Sequence, residues 1–323
     1  PSSSPASGED GTPTRHGSML AFMSNLLPVC AVMLLAAAAS AIGPLPDVRQ
    51  DGEPTSLTSR VLSAYEPRPA EGGGAGARVA AARALVESLP EVRRAEISLA
   101  LDDPERARWT NVPPSRDEQG LRLGDCEQDE LERACDLLAT VLSADGYART
   151  RDILLADDRL LRGGRPRPGF GAENFWLVLF GTPTVDGQWG LQLDGHHLAL
   201  NLSFDGDQMT MSPTFLAAQP ARFVRDEQTF EPLADPDAAS FALVRSLGDD
   251  QRAAAVFDDR RGSNLAAAGR DGVIPEPVGL ACSTLSEAQA EHASALIAAV
   301  VRDLPSDIAA PRRAALTAEL PQM

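Results

Sequence analysis

The chain contains no lysine, and this absence excludes several kinds of enzyme. All 29 basic residues among its 323 are arginines. An enzyme that forms a Schiff base needs a lysine amine. A Walker-type phosphate loop and the usual protein-kinase site each need a lysine as well. These three classes are therefore excluded, whatever coding preference for alanine, arginine and glycine produced the bias.

Positive charge is also scarce relative to negative charge. The 46 acidic residues outnumber the arginines, and the formal net charge is −17. A nucleic-acid partner requires a basic face, and so does an anionic lipid surface. We therefore predict no nucleic-acid partner and no membrane contact beyond the N-terminal leader. The acidity itself is that of a soluble protein, in keeping with a hydrophobic fraction of 43%. The small-molecule ligand and the oligomeric state stay open.

The N-terminal region contains a long apolar run, Leu26 to Ala39. Its length fits the hydrophobic part of a signal peptide and is short of the roughly 20 residues that span a membrane. Ala39-Ser40-Ala41 follows with the small residues of a cleavage site. We predict an exported protein, periplasmic or extracellular, with residues 1–42 as a disordered leader plus signal peptide. An uncleaved membrane anchor is the alternative, and translation starts at Met19 or Met23.

Cysteines are few after this leader. Cys126, Cys135 and Cys282 remain, and an odd number leaves at least one thiol unpaired within the chain. Their spacing matches neither a CxxC pair nor a Cys/His zinc site. Cys126 and Cys135 can form a disulfide only if Cys126 lies in the loop before the helix that follows. Buried, inert thiols are the default expectation.

The order of apolar patterns predicts an α+β fold. Residues 43–76 are predicted to be a linker around a short helical pattern, and residues 77–323 a single domain. Strands cluster in the centre between helical blocks rather than alternating with helices. One further strand is predicted upstream, at Arg94–Leu101, from its alternating apolar residues. The predicted helices are Ala77–Leu89, Glu127–Ser143, Ala148–Leu161, Asp235–Leu247, Asp249–Phe257, Leu285–Val301 and Pro305–Leu316.

The centre is predicted to be an antiparallel β-meander flanked by these helical segments. Two Asp-Gly pairs, at 186–187 and 205–206, are strong signals of hairpin turns. Gln188–Phe204 lies between them as one long bent strand, with Gly195 as a bulge or a point of close backbone approach. Phe175–Phe180 precedes it. Gln208–Met211 follows and ends at Pro213.

Two of the four histidines lie side by side in the stretch Asp194-Gly195-His196-His197. Burying an unpaired imidazole costs about 1–3 kcal/mol, so each ring in this apolar region needs a hydrogen-bond partner or a metal. Histidine also suits proton transfer and metal ligation near neutral pH. His196, His197 and Asp194 are therefore the candidate catalytic residues and the candidate ligands of a divalent transition metal.

Strand geometry limits this metal hypothesis. Neighbouring residues on a regular strand point to opposite faces, so one metal can bind both imidazoles only if the chain bends at Gly195. A site of two histidines and one carboxylate, as used for iron or zinc, would draw on Asp194, Asp205 or Asp207.

Two alternatives to a metal enzyme stay open, and the sequence does not decide whether the protein is an enzyme. In the first, His196 moves a proton while Asp194 orients its ring. In the second, a histidine only holds the sheet together, in a non-catalytic exported binding or structural module.

The central block resembles the DUF3500 family, which is named for its unknown function. The upstream Asp103–Trp109 and the downstream Ser246–Ala253 are similar to the family's flanks, so the resemblance covers about residues 80–318. It implies the fold and the position of a site, but no reaction. Asp194 stands where the family more often has glutamate. Longer members continue past Met323 with a block containing His and Asp, which implies a C-terminal truncation here. The central resemblance lies in Trp176–Pro183, Trp189-Gly190, Asp194–Asn201, Pro213–Leu216 and Gln219–Ala221.

Overall fold

The computed structural model describes residues 56–114, 118–162, 168–225, 227–256 and 278–323. The predicted leader, residues 1–42, lies outside these ranges. Within them, helices flank a sheet whose central strands form an antiparallel meander, so the predicted α+β class is confirmed. In the same ranges, none of the helices is both long enough and apolar enough to cross a membrane.

The helices of the described residues are numbered in chain order. The predicted short helix near Leu57 forms, and six of the seven longer helices form within a few residues of their predicted ends. The seventh, predicted to Phe257, ends at Ala255 with Val256 as its C-cap, and Phe257 lies outside the described residues. The helices are α1 (Leu57–Ala64), α2 (Gly74–Ser88), α3 (Glu91–Ile97), α4 (Gln128–Val141), α5 (Ala144–Arg162), α6 (Ala234–Ser246), α7 (Asp249–Ala255), α8 (Glu287–Val301) and α9 (Ser306–Glu319).

The strand predicted at Arg94–Leu101 is wrong over most of its length. Residues 91–97 form α3, and only Ser98–Leu99 is a strand. The prediction failed because the alternating apolar residues do not all lie on one buried face. Ile97 is fully buried, but Ala95 is exposed. Pro90 at the helix start and Glu91 in the first turn favour the helix.

The sheet follows the predicted meander. The strands are β1 (Ser98–Leu99), β2 (Leu121–Arg122), β3 (Phe175–Phe180), β4 (Gln188–Gly195), β5 (Leu198–Asp205), β6 (Gln208–Leu216), β7 (Phe223–Arg225) and β8 (Gln228–Phe230). The strand order of the main sheet is β1-β3-β4-β5-β6, and β2 also pairs with β3. β1 runs parallel to β3 and the other pairs are antiparallel, while β7 and β8 form a separate two-stranded sheet.

Two details of the meander differ from the prediction. The single long strand is instead two strands, because Gly195 pairs with Leu198 and the chain reverses between them. Pro213 does not end β6 but lies within it, at an irregularity in the pairing with β5 between Leu200 and Leu202. Proline cannot donate to a β-ladder, and a bulge is one of the few places in a sheet that tolerates it.

The two faces of the sheet have different surroundings. On one face, residues such as Phe175, Leu193 and Leu200 join the main apolar core together with Ile153 and Leu154 of α5. The other face carries polar side chains and is covered by the segment around residues 104–112. There, Gln192 donates from Nε2 to the Arg106 carbonyl. This difference decides which acidic side chains reach the paired histidines.

Candidate functional site

The paired histidines form the tip of the β4–β5 hairpin. His196 and His197 are the two residues between the last pair of the ladder, and His197 has a φ of 71°. A positive φ at only the second turn position is the pattern of a type II turn, which favours glycine or asparagine there. Such a conformation costs a non-glycine residue about 1–3 kcal/mol, and residues held in it cluster at active sites and ligand-binding sites.

Two neighbouring segments hold this turn in place. The His197 N–H donates to the Asn111 carbonyl at 3.1 Å, and the His197 carbonyl accepts from the Ala217 N–H at 2.8 Å. The turn is therefore anchored on both sides. These bonds explain how a strained conformation persists at a position where glycine would be easier to accommodate.

Gly195 allows the close approach that its position in the sequence predicts. A Cβ at Gly195 would lie 2.5 Å from Cδ1 of Phe175 and 2.8 Å from the Asn174 carbonyl oxygen. A side chain is therefore excluded here by packing on β3 and not by backbone conformation. The prediction of close approach is confirmed, whereas the predicted bulge at this residue is wrong.

The imidazole rings of the two histidines are stacked on each other. Their centroids are 3.6 Å apart with an interplanar angle of 29°. The Phe170 ring lies edge-on to His196, at a centroid distance of 4.5 Å. His196 is buried, and His197 is partly buried. The turn thus brings together two side chains that a straight strand would have pointed to opposite faces.

The carboxylate that meets these rings is Asp157, on α5. Its Oδ1 is 2.5 Å from Nδ1 of His196, and its Oδ2 accepts a hydrogen bond from the Gly171 N–H at 2.7 Å. Asp157 is 2% exposed, so this contact is shielded from water. The contact orients the His196 ring, with Nδ1 towards Asp157 and Nε2 directed away from it.

The three side chains form a cluster suited to holding a metal ion. One candidate ligand atom from each of Asp157, His196 and His197 lies within 4.8 Å of the others. Nδ1 of His197 is buried and has no hydrogen-bond partner among the described residues. A buried nitrogen without a partner costs about 1–3 kcal/mol, which marks this atom as one that a ligand would satisfy.

His197 is uncharged at neutral pH. Burial and, to a lesser extent, the neighbouring His196 together lower the pKa of its imidazole to about 4, against the opposing effect of Asp157. A neutral imidazole has a free lone pair, which is the form that binds a metal or accepts a proton.

Asp194, the carboxylate that the sequence suggests as partner, lies outside this cluster. It projects from β4, where alternation places it on the sheet face opposite the core side chain of Leu193. Its Oδ2 accepts from the Thr110 N–H at 2.6 Å. Asp205 and Asp207, the other candidates, bond to Gln188 and to the Ala75 N–H. The structure thus brings His196 and His197 together with none of the three carboxylates named from the sequence.

Asp157 was not predicted as a site residue from the sequence, although its position on the helix indicates that it is buried. On α5 it follows Ile153 by four positions and Leu154 by three, and it precedes Leu161 by four. It therefore occupies a position on the apolar stripe of an amphipathic helix. A carboxylate at such a position is buried and needs a partner, which here is His196.

The cysteines take no part in the site. All three are free, with Cys126 and Cys135 buried and Cys282 partly exposed. Burial raises the pKa of Cys126 to about 12 and that of Cys135 to about 11, so neither thiol is reactive at neutral pH. The expectation of inert, buried thiols is confirmed for these two residues.

Replacing Asp194 by asparagine is expected to change how stability depends on pH. Burial raises the pKa of the Asp194 carboxyl to about 7, although the Thr110 N–H lowers it. A folded-state pKa above the unfolded value near 3.9 means that stability is lost as pH rises from about 4 through 7. Asp194→Asn still accepts from Thr110 and has no such loss. As pH rises through this range, the free energy of unfolding of Asp194→Asn should therefore increase relative to that of the wild type, by on the order of 2–4 kcal/mol.

Urea unfolding of both proteins in the presence of a chelator, at several pH values from 4 to 8, measures this difference. A difference between the two proteins that stays constant with pH would contradict the assignment of a raised pKa to Asp194.

The fold and the site together define an α+β protein with an Asp–His–His cluster at the tip of a β-hairpin. The chain belongs to the family described as "Protein of unknown function (DUF3500)", whose family model matches residues 71–323. No curated protein and no solved structure matches the chain.

Proposed function

We propose that this protein is an exported, metal-dependent enzyme, with a divalent transition metal held by Asp157, His196 and His197. The observation that carries the proposal is the buried Nδ1 of His197, which has no partner in the described structure and belongs to a side chain clustered with two others of metal-binding type. Two imidazoles and one carboxylate are a ligand set used for zinc and non-haem iron. Three protein ligands leave a position open for substrate.

The surroundings of the cluster support this role. A bound divalent ion would supply Lewis-acid polarisation of a substrate oxygen. Asp157 keeps one oxygen on the Gly171 N–H, which leaves Oδ1 directed at the histidine pair. The turn anchors at Asn111 and Ala217 fix the backbone of His197, and its ring is stacked on that of His196. Pre-organised ligands of this kind are what a metal site requires.

A metal-free acid–base site is the second candidate, and the 2.5 Å contact between Asp157 and His196 favours it. In that reaction Asp157 holds the Nδ1 proton of His196, and the opposite nitrogen, Nε2, accepts a proton from the substrate. The role of His197 distinguishes the two candidates. A metal would bind the unpartnered nitrogen of His197, whereas the acid–base pair of Asp157 and His196 does not need His197.

Elemental analysis of protein purified without a histidine tag tests the metal. We expect about one transition-metal ion per chain in the wild type and none in His197→Gly or His196→Ala. Glycine is suited to the φ of 71° at position 197, so His197→Gly should fold at least as well as the wild type unless the imidazole itself stabilises the sheet.

The outcomes separate the candidates. If the wild type contains no metal and takes up none from added Zn²⁺, Co²⁺, Mn²⁺ or Fe²⁺, the metal proposal is wrong. If His197→Gly and His196→Ala also lose much of their stability by thermal unfolding, the histidines have the structural role that the sequence left open.

Export is tested by the N-terminus of the mature protein. Cleavage after Ala41 would leave Ile42 as the first residue, which N-terminal sequencing of protein from the periplasm or the medium would reveal. An intact Met19 or Met23 terminus on a membrane-bound product would instead support the uncleaved anchor.

A further inference from the structure

One peptide group links Asp157 to a second layer of side chains. The carbonyl of Phe170 and the N–H of Gly171 belong to the same peptide unit. The carbonyl accepts from Nδ2 of Asn174 at 2.6 Å, while the N–H donates to Oδ2 of Asp157 at 2.7 Å. The Asn174 N–H also donates to the Gly171 carbonyl at 2.9 Å, which closes the loop on itself.

The orientation of the Asn174 amide is fixed from its other side. Its Oδ1 accepts from Nε and Nη2 of Arg122 at 3.1 and 3.0 Å. Since arginine only donates, the oxygen must face Arg122, and the amide nitrogen must then face Phe170. Arg122 and the Phe170 carbonyl therefore require the same orientation of the Asn174 amide, and the carbonyl, which can only accept, requires it on its own.

We infer that Asn174 is a positioning residue for Asp157. Its amide holds the 170–171 peptide so that the Gly171 N–H engages Oδ2 and leaves Oδ1 facing His196. The inference rests on the proposed function as far as the metal is concerned. The same geometry also places the Phe170 ring against His196, so one side chain sets two contacts of the imidazole.

Gly171 shows how little freedom this peptide has. Its φ is 99°, and a Cβ there would lie 2.3 Å from Cδ1 of Leu161. A side chain at 171 would therefore be strained by its backbone conformation and would have to displace the end of Leu161. The peptide can rotate only by breaking its bonds to Asn174 and Asp157.

Asn174→Asp isolates the positioning effect. It keeps an oxygen for Arg122 but replaces the donor to the Phe170 carbonyl with a second acceptor, which repels that carbonyl. Arg122→Met is the matched control, because it removes the pairing with Oδ1 and leaves the bond to Phe170 available. The metal-free proteins are compared by NMR, through the Gly171 amide proton and the ring nitrogens of His196.

We expect the wild type and Arg122→Met to show a hydrogen-bonded Gly171 amide and His196 protonated at Nδ1. In Asn174→Asp, the Gly171 amide proton should no longer appear hydrogen-bonded, and His196 should show a mixture of its two imidazole tautomers. Titration with Co²⁺ or Zn²⁺ should then give about 10–100-fold weaker binding in Asn174→Asp, the usual effect of removing a supporting residue, and about unchanged binding in the control.

The metal-free spectra decide the inference even if the wild type binds no metal, which would overturn only the proposed function. Unchanged spectra of Gly171 and His196 in Asn174→Asp would overturn the positioning role. Equal changes in Asn174→Asp and Arg122→Met, accompanied by equal losses of thermal stability, would overturn it as well, since they would show a structural role alone.

Discussion

Asp157→Asn is expected to weaken Zn²⁺ binding by more than about 100-fold, beyond the usual effect of losing a supporting residue. The substitution keeps the size of the side chain and an oxygen for the Gly171 N–H. It removes the negative charge beside His196 and places a competing amide near the ligand atoms. Asp194→Asn is the matched comparison, because it makes the same substitution at a carboxyl that is also buried but bonded to Thr110.

Calorimetric titration of the three proteins with Zn²⁺, after removal of bound metal, measures the effect. We expect the affinity of Asp194→Asn to remain within about threefold of wild type, less than the loss of even a supporting residue would produce. The reverse result, with affinity lost in Asp194→Asn and kept in Asp157→Asn, would favour the carboxylate suggested by the sequence over the one that the structure places at the histidines.

Asp303→Ala is expected to lower the free energy of unfolding by about 3–5 kcal/mol, the cost of leaving one charge of a buried pair without its partner. Nη1 of Arg149 donates to Oδ1 of Asp303, and both side chains are buried, at 7% and 5% exposed. Arg149 also donates from Nε to the Pro232 carbonyl at 3.0 Å. The pair ties α5, the helix that carries Asp157, to the junction between α8 and α9.

Arg149→Met is expected to behave differently with pH. Burial raises the pKa of Asp303, an effect that Arg149 opposes. Without Arg149 the carboxyl can remain protonated, so the variant should be closest to wild type at low pH. Because a raised folded-state pKa means stability is lost as pH rises, the deficit should grow between about pH 4 and pH 8.

Arginine does not deprotonate in this range, and Asp303→Ala lacks the carboxyl whose raised pKa costs the wild type stability as pH rises, so the deficit of Asp303→Ala should not grow with pH. Urea unfolding of both variants across this pH range measures the two slopes. Parallel slopes would show that the buried charge of Asp303 does not control the difference. If the free energy of unfolding of Asp303→Ala fell by less than about 1 kcal/mol, the buried pair would contribute no more than a typical surface ion pair.

The predictable part of the fold is the part that depends on local residue patterns. The helix Glu127–Ser143 forms as α4, two residues shorter at its C-terminal end and one at its start, because its apolar stripe is buried as the periodicity requires. Phe175–Phe180 forms with the predicted ends. Asp205-Gly206 lies at the β5–β6 hairpin, with Gly206 at a φ of 57°, because glycine favours the backbone conformation that the turn needs.

The hairpin at the histidines could not be predicted in this way. Neither His196 nor His197 is a usual turn residue, so the sequence predicted one continuous strand over Gln188–Phe204. The chain reverses there because contacts distant in sequence hold the turn, through the Asn111 carbonyl and the Ala217 N–H. Local preference is overridden by bonds that exist only once the neighbouring segments have packed.

The sequence by itself determined that the protein is α+β, that enzyme classes requiring a lysine are excluded, and that the paired histidines are the place to look for a functional site. Which carboxylate joins them was decided only by the tertiary structure. Strand alternation directs Asp194 away from the core, towards Thr110. The packing of α5 on the core face brings Asp157, 39 residues before His196 in the chain, into contact with it. Sequence proximity sets which residues can be neighbours on a strand, but the packing of helix on sheet sets which side chains meet.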